Sequence, residues 1–540
     1  MSVSLPAAVP RKTFADVRAA LLERREIALL DVREEDPHAR AHPLFAANLP
    51  LSRLELEVYA RLPRRDAAIV TLDDGEGYAE RAARRLSALG YNDVAVLAGG
   101  VSGWQAAGGE LFCDVNVPSK AFGELVDATR NTPALEAEAV KKLLDAQADM
   151  VVLDVRRFDE YQTMSIPTAI NVPGAELALR ASTLAPRHET MIIVNCAGRT
   201  RGIIGAQSLV NAGLPNPVFA LKNGTIGWTL AGQALEHGQT RRFGPVAESA
   251  RRQAAARAKR LAERAGVQWT SLAEIEAWKS QDGRTTFFFD VRDPEEYAAG
   301  HLPGFRSVPG GQLAQETEMI APTRGARMVL FDDDGARANM TASWLAQMDW
   351  EVYTLTLADT AALTEHGHWQ APLPPTPDTP RVHPVTLADW LDSADPPAVI
   401  DLTAYANYRR GHIPGAWFAL RAGLAEALEK IPRASRHVLT CASSQLARFA
   451  FAELAAMTSG EVFVLEGGSN AWKAANLPLE QTERLASEPL DRYRRPYEGT
   501  DNSAAAMQAY LDWESGLVAQ LERDGTHHFR VIQASAGGKR

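Results

Sequence analysis

One pattern recurs four times along this chain and limits its fold more than any other feature. An apolar run ending in Asp reads ALLDVRE at Asp31, VVLDVRR at Asp154, FFFDVRD at Asp290 and AVIDLTA at Asp401. Each is followed by a second apolar run that enters a polar loop and a helical segment: IVTLDDGEGYAERAA, IIVNCAGRTRGIIGA, MVLFDDDGARANMTA and HVLTCASSQLARFAF. Asp31 to Asp73, Asp154 to Cys196 and Asp290 to Asp332 are each 42 residues apart, and Asp401 to Cys441 is 40. Three repeats then close on a strand, a Gly-containing turn and a tryptophan, at Trp104, Trp228 and Trp472. The third keeps the strand, TLTLADTAAL, without the glycines or the tryptophan. Repeats three and four also carry GHLPGF (300–305) and GHIPGA (411–416), of which the first two retain fragments.

A repeat of this period sets the architecture before any single residue is considered. At 540 residues the chain is too long for one core. Short apolar strands alternating with helical segments predict an α/β fold in which each unit is a parallel β-sheet with helices on both faces. The expected units are 1–125, 126–245, 246–372 and 373–487, followed by a C-terminal extension, 488–540. Residues 246–265, rich in Ala, Arg and Lys, predict a connecting helix with a solvated face, and the Pro-rich 371–380 a semi-rigid spacer. In the extension, Met507, Tyr510, Leu511, Leu517, Val518 and Leu521 recur at helical spacing behind a cap at Asp501, Asn502 or Ser503. That helical tail is expected to pack on another domain or on a second subunit.

Composition removes some classes of function. A net charge of −10 disfavours nonspecific nucleic-acid binding. No apolar run reaches the length of a membrane span, and the opening MSVSLPAAVPRKTF lacks the apolar centre of an export signal. The three cysteines, Cys113, Cys196 and Cys441, form neither a disulfide framework nor a metal-ligand spacing, and a reducing cytoplasm is the expected location. No metal and no cofactor are expected. Asp73–Asp74 and Asp332–Asp334 read as loops that hold no metal, since no histidine or second acidic cluster completes a coordination sphere.

Cys196 is the residue with the strongest chemical context. It ends a buried strand at the mouth of a helix, where the partial positive charge and unpaired N–H groups favour an anion. Arg199 and Arg201 are expected to depress its thiol pKa further. Cys441 occupies the equivalent loop, CASSQLA, which has neither arginine nor glycine. Cys113 follows a domain end with no supporting loop and reads as an incidental thiol.

Taken together, DVR after a strand, GHxPGA, a Cys-led loop before a helix and LxGGxxxW resemble the rhodanese family of sulfurtransferases. The resemblance covers all four units and leaves the tail outside. It implies four tandem rhodanese-like domains. It also implies a thiosulfate sulfurtransferase in which Cys196 accepts a sulfane sulfur as a persulfide and passes it to cyanide or a thiol. Backbone N–H groups of Ala197, Gly198, Arg199, Thr200, Arg201 and Gly202 are expected to cradle the anionic donor, with the arginines binding its sulfonate. Asp154 is expected to support Cys196 from behind. Domains one and three, with Asp73 and Asp332 in the cysteine position, read as inactive copies. Phosphatase and arsenate reductase loops need an arginine six residues after the cysteine, where this chain has Gly202. Two alternatives stand beside this reading. One is a relay between Cys196 and Cys441 to a thiol or protein acceptor, and the other a scaffold built on the inactive domains. A second copy of the chain and a protein sulfur acceptor are left open as partners.

Overall fold

The computed structural model describes residues 8–279, 283–357 and 360–533. Residues 1–7 of the opening segment, 358–359 of TLTLADTAAL and 534–540 of the tail lie outside them. The four Asp-terminated runs form the strands Ile27–Asp31, Met150–Asp154, Thr286–Asp290 and Ala398–Asp401. The second runs form Ile69–Leu72, Met191–Asn195, Arg327–Phe331 and Arg436–Thr440. These strands are largely buried along their length, which is why they read as continuous rather than alternating apolar runs.

Every unit has the same five parallel strands. In domain 2 the order is Ala134–Leu135, Val218–Leu221, Met191–Asn195, Met150–Asp154, Ile170–Asn171, all parallel. The strand that ends at the cysteine position is therefore central, and the strand order reverses beside it. Ligands of open α/β sheets bind at the carboxyl ends of strands at such a reversal. The Asp of each DVR run is a buried anchor: Asp154 accepts from Arg156 N, Nε and Nη2 at 3.1, 2.9 and 2.7 Å. Arg156 Nη2 also donates to Met164 O at 2.6 Å, clipping the segment that follows the next helix. Asp31–Arg33 and Asp290–Arg292 repeat the arrangement. The GHxPGA histidines are turn residues as well, His301 stacking on Tyr297 and His412 on Tyr408 with ring centroids 3.7 and 3.8 Å apart.

The domains are joined more closely than a string of beads. Thr323–Arg324 of domain 3 pairs antiparallel with Ile27–Asp31 of domain 1, adding a sixth strand to that sheet. The boundary expected at 125/126 falls inside a single helix, Val117–Arg130, which packs against Thr200–Asn211 of domain 2. The connecting helix, Glu248–Ala265, buries Ala254, Ala258, Leu261 and Ala262 and packs on helices of domains 2 and 3. Domain 4 packs on domain 1, where Arg421 Nη1 donates to Glu55 Oε2 at 2.6 Å and Arg85 Nη2 to Glu453 Oε1 at 2.9 Å.

The tail docks on its own chain. Its helical pattern splits at Gly516 into Ala504–Ser515, capped by Ser503 Oγ, and Leu517–Asp524. Met507, Tyr510 and Leu511 pack with Ile226 of domain 2, while Leu517, Leu521 and Phe529 join the core shared by domains 1 to 3. Among the described residues no helix is long and apolar enough to cross a membrane.

Glu318, on the short helix Thr317–Ile320, is buried with Oε2 unpartnered among the described residues, and burial pushes its carboxyl up to about 8. A carboxyl whose folded pKa exceeds its unfolded value, about 4.3, binds its proton more tightly when folded. Its stabilising contribution is complete below the unfolded value and is lost as the pH rises through the folded one. Burial instead lowers His42, His437 and His527, a destabilisation that ends above their ordinary pKa of about 6.5. Thermal denaturation should therefore show Tm falling from pH 6.5 to 8.5, a fall to which the raised carboxyls of Glu34, Glu514 and Asp332 add with the same sign, and Glu318→Gln should flatten part of that slope. A wild-type Tm that rises across this window would contradict the assignment.

Candidate active site

The loop after the central strand has one feature in all four domains. The backbone N–H six residues beyond the cysteine position is directed at the side chain there. Ala79 N donates to Asp73 Oδ2 at 3.0 Å and Ala338 N to Asp332 Oδ2 at 2.9 Å. The N–H groups of Gly202 and Ala447 occupy the equivalent position beside Cys196 and Cys441 and favour their thiolates. The loop is an anion cradle at a helix N-terminus. In domains 1 and 3 it is filled by the chain's own carboxyl group, which also accepts from Gly75 N or Gly335 N, and in domain 3 burial and the neighbouring Asp334 push the Asp332 carboxyl well above the usual carboxylate range.

The cradle is held from outside by the glycine turn before the tryptophan. Gly224, at φ +55°, lies so close to the loop that a Cβ there would stand 2.4 Å from Cys196 O and 2.6 Å from Gly198 O. Thr225 N and Oγ1 each donate to Cys196 O at 2.9 Å, and Ile226 N donates to Ala197 O at 3.0 Å. Gly100 and Gly468 stand in the same relation to Asp73 O and Cys441 O, at 2.2 and 2.1 Å. Trp104, Trp228 and Trp472 are buried and lock the turn, each Nε1 donating to a carbonyl six residues on.

Cys196 is buried, and its surroundings differ from the expectation. Burial pushes the thiol up to about 11, outweighing the opposing pull of Arg201 and of the Gly202 N–H, while Glu514 and Asp154 raise it further. The Sγ–H faces the carbonyls of Gly198 at 3.3 Å and Arg199 at 3.7 Å, so the loop is set for a thiol. Both arginines are engaged by carboxylates. Arg199 Nε and Nη2 donate to Glu124 at 2.7 and 2.8 Å, Nη2 to Asp127 at 3.0 Å and Nη1 to Asn223 Oδ1 at 3.2 Å. Arg201 forms a two-bond pair with Glu160, both bonds 2.8 Å. Thr200 starts the helix Thr200–Asn211, and its Oγ1 donates to Glu514 Oε1 at 3.4 Å. Asp154 Oδ2 accepts from Asn195 Nδ2 at 2.9 Å, fixing the strand end one residue before Cys196.

Cys441 is buried too, with three N–H groups, of Ser443, Leu446 and Ala447, favouring its thiolate against the effect of burial. Ser444, at φ +66°, makes the left-handed turn that arranges them. This cradle is better formed than the bare CASSQLA string implies. The two sulfurs sit in separate cores, Cys196 with domains 1 to 3 and the tail, Cys441 within domain 4 against Leu56. Cys113 is half-buried, and burial with Asp114 raises its thiol.

Sequence reasoning missed Glu124, Asp127, Glu160, Asn223, Tyr510 and Glu514. They lie 24 to 314 residues from their partners in the loop, with no spacing signal to find them.

A family model described as rhodanese-like domain matches residues 14–107, 136–231, 271–357 and 383–475. The chain belongs to the rhodanese family, with four such domains in tandem. The crystal structure of a thiosulfate sulfurtransferase from Pseudomonas aeruginosa superposes with a TM-score of 0.96 at 64% identity, over 97% of this chain and 100% of that one. YrkF of Bacillus subtilis (strain 168), named as a candidate sulfur carrier, is 30% identical over 97 residues, 18% of this chain. This chain spans about half (51%) of that relative's length. The four domains and the Pseudomonas neighbour support a sulfurtransferase.

Proposed function

We propose that the protein moves sulfane sulfur from thiosulfate, or a similar small anionic donor, to a thiol or cyanide through a persulfide on Cys196. The observation that carries this reading is the cradle itself. Four equivalent loops aim an N–H at one side-chain position, and only at Cys196 and Cys441 is that side chain a nucleophile. In the reaction, Cys196 Sγ loses its proton and attacks the outer sulfur of thiosulfate. The S–S bond to the sulfonate breaks, and sulfite leaves with the electron pair. An acceptor thiolate or cyanide then attacks the outer sulfur of the persulfide, and Cys196 departs as the thiolate. The persulfide is an anion that carbonyls cannot stabilise. Gly198 O and Arg199 O therefore turn from Sγ as the N–H groups of 197–202 turn to it, a change that the absence of a Cβ at Gly198 and Gly202 eases. Arg199 and Arg201, released in part from Glu124 and Glu160, are the groups for the sulfonate oxygens.

A second reading has one observation in its favour. The N–H groups around Cys441 suit a thiolate, and domain 4 would then carry sulfur independently, since the two cysteines share no core. Intact-mass measurement after incubation with thiosulfate separates the readings. Wild type should gain about 32 Da, one persulfide sulfur, and Cys196→Ser should lose that gain while Cys441→Ser keeps it. Loss in Cys441→Ser alone would move the function to domain 4. An adduct in neither wild type nor variant would leave the protein a binding scaffold.

A further inference from the structure

The C-terminal extension lies outside the family match, yet it places a carboxyl over the Cys196 loop. Glu514 is fully buried, and its Oε1 accepts from Tyr510 OH at 2.7 Å and from Thr200 Oγ1 at 3.4 Å. Its Oε2 has no hydrogen-bond partner among the described residues. That free oxygen is turned toward the cradle, 3.5 Å from where a Cβ would stand on Gly198, with the Tyr510 ring at 3.1 Å. Gly198 is one of the loop residues whose N–H groups are the expected contacts of the donor, so this corner borders the donor's expected place.

We propose that Glu514 selects the donor at Cys196: its Oε2 must carry a proton, which it offers to an oxygen of a doubly charged thiosulfonate-type donor, and its ionised form turns such a donor away. The inference rests on the reading of Cys196 as the nucleophile. The physical ground is that a carboxylate cannot share a buried corner with a dianion, whereas a carboxylic acid supplies the hydrogen bond that the corner lacks.

The groups around Glu514 suit a switch near neutral pH. From the helix Val117–Arg130, Lys120 favours the ionised form and Glu124 opposes it, and from the loop Arg199 favours it. Lys120 is itself paired with Asp114 at 2.8 Å and enclosed by the rings of Tyr497, Tyr510 and Trp513. Tyr510, on the same helix as Glu514, favours the carboxylate through its hydroxyl. Burial outweighs these and brings the carboxyl up to about 7.

The test compares the second-order rate of thiosulfate loading onto Cys196, followed by intact mass from pH 5.5 to 8.5, in the full-length wild type and in Glu514→Gln. Glutamine retains the acceptor for Tyr510 and Thr200 and an N–H toward the corner, without the charge. Ionised Glu514 also raises the Cys196 thiol, so the wild-type to Glu514→Gln loading ratio is divided by the same ratio for alkylation by neutral iodoacetamide, which carries the effect on Cys196 without a charged donor. The resulting ratio should start near one at pH 5.5 and fall tenfold or more by pH 8.5. Tyr510→Phe, which removes a bond that favours the carboxylate, should move the midpoint of the wild-type decline to higher pH. A purely structural role for Tyr510 would lower loading at every pH and leave the midpoint in place. Loading that occurs in both proteins with a flat ratio, or an unmoved midpoint in Tyr510→Phe, overturns the assignment to Glu514. Loading in neither protein at any pH overturns the sulfur-transfer reading itself.

Discussion

Alanine at Gly224 is expected to cut thiosulfate loading of Cys196 by about 100-fold while leaving the protein folded. The added methyl group would stand 2.4 Å from Cys196 O, 2.6 Å from Gly198 O and 3.0 Å from Cys196 C, all backbone atoms of the loop. Relief of such contacts moves the loop by about 1 Å, and a displacement of that size is worth about 10²-fold in a reaction that depends on near-attack geometry. The φ of +55° adds backbone strain of about 1–2 kcal/mol for any L side chain. Gly232→Ala is the control: its φ is +70°, but none of the described residues lies within 4 Å of the Cβ position. It should lose a similar amount of stability and keep its loading rate. Equal loading by the two variants would mean that the glycine turn serves chain conformation alone and does not set the cradle.

The largest loss of stability is expected from Arg337→Ala. The Arg337 guanidinium is buried and binds four carboxylates: Asp334 through Nε at 2.6 Å, Asp333 at 2.9 Å, Glu176 of domain 2 at 2.8 Å, and Glu296. Removing it leaves buried negative charges facing one another across the boundary of domains 2 and 3. Breaking one partner out of a buried ion network costs about 3–5 kcal/mol. Chemical denaturation should register a loss of that size, and the domain 2–3 contact should open first, seen as faster proteolysis of the connecting helix Glu248–Ala265. Arg421→Ala, which leaves Glu55 and Glu453 between domains 1 and 4 with Arg85 as their remaining arginine, serves as the comparison and should leave that helix protected. A loss below about 1 kcal/mol for Arg337→Ala, typical of exposed ion pairs, would show that water reaches this cluster.

These two sites illustrate how unevenly the molecule can be read from its residues. The acidic run at Asp332–Asp334 reads as a loop without a metal, but its purpose is invisible in the string. Asp332 fills the cradle of its own domain, and Asp333 and Asp334 answer an arginine a few residues away that also reaches Glu176, 161 residues back. The glycine turn, by contrast, is legible as a motif. Its function as a support for the cysteine loop follows only from the contact between residues 196 and 224. Arg199 and Arg201 show the same limit: their place beside Cys196 is plain in the sequence, and their pairing with Glu124, Asp127 and Glu160 is not.

The sequence alone determined what is repeated and local. Four apolar runs ending in Asp, a near-constant spacing to the cysteine position and the closing Gly–Trp turn fix four parallel sheets, because strand, loop and helix form from neighbours in the chain. They also determine which loops hold sulfur and which hold a carboxylate. Tertiary structure alone decided the electrostatic state of Cys196, because that state depends on burial and on charges brought from elsewhere in the chain. A helix N-terminus and two arginines favour a thiolate, yet the thiol is pushed up to about 11 once the loop is buried and Glu514 of the tail stands over it. Coulomb interactions and desolvation depend on distance in space, and distance in space is what a sequence does not record.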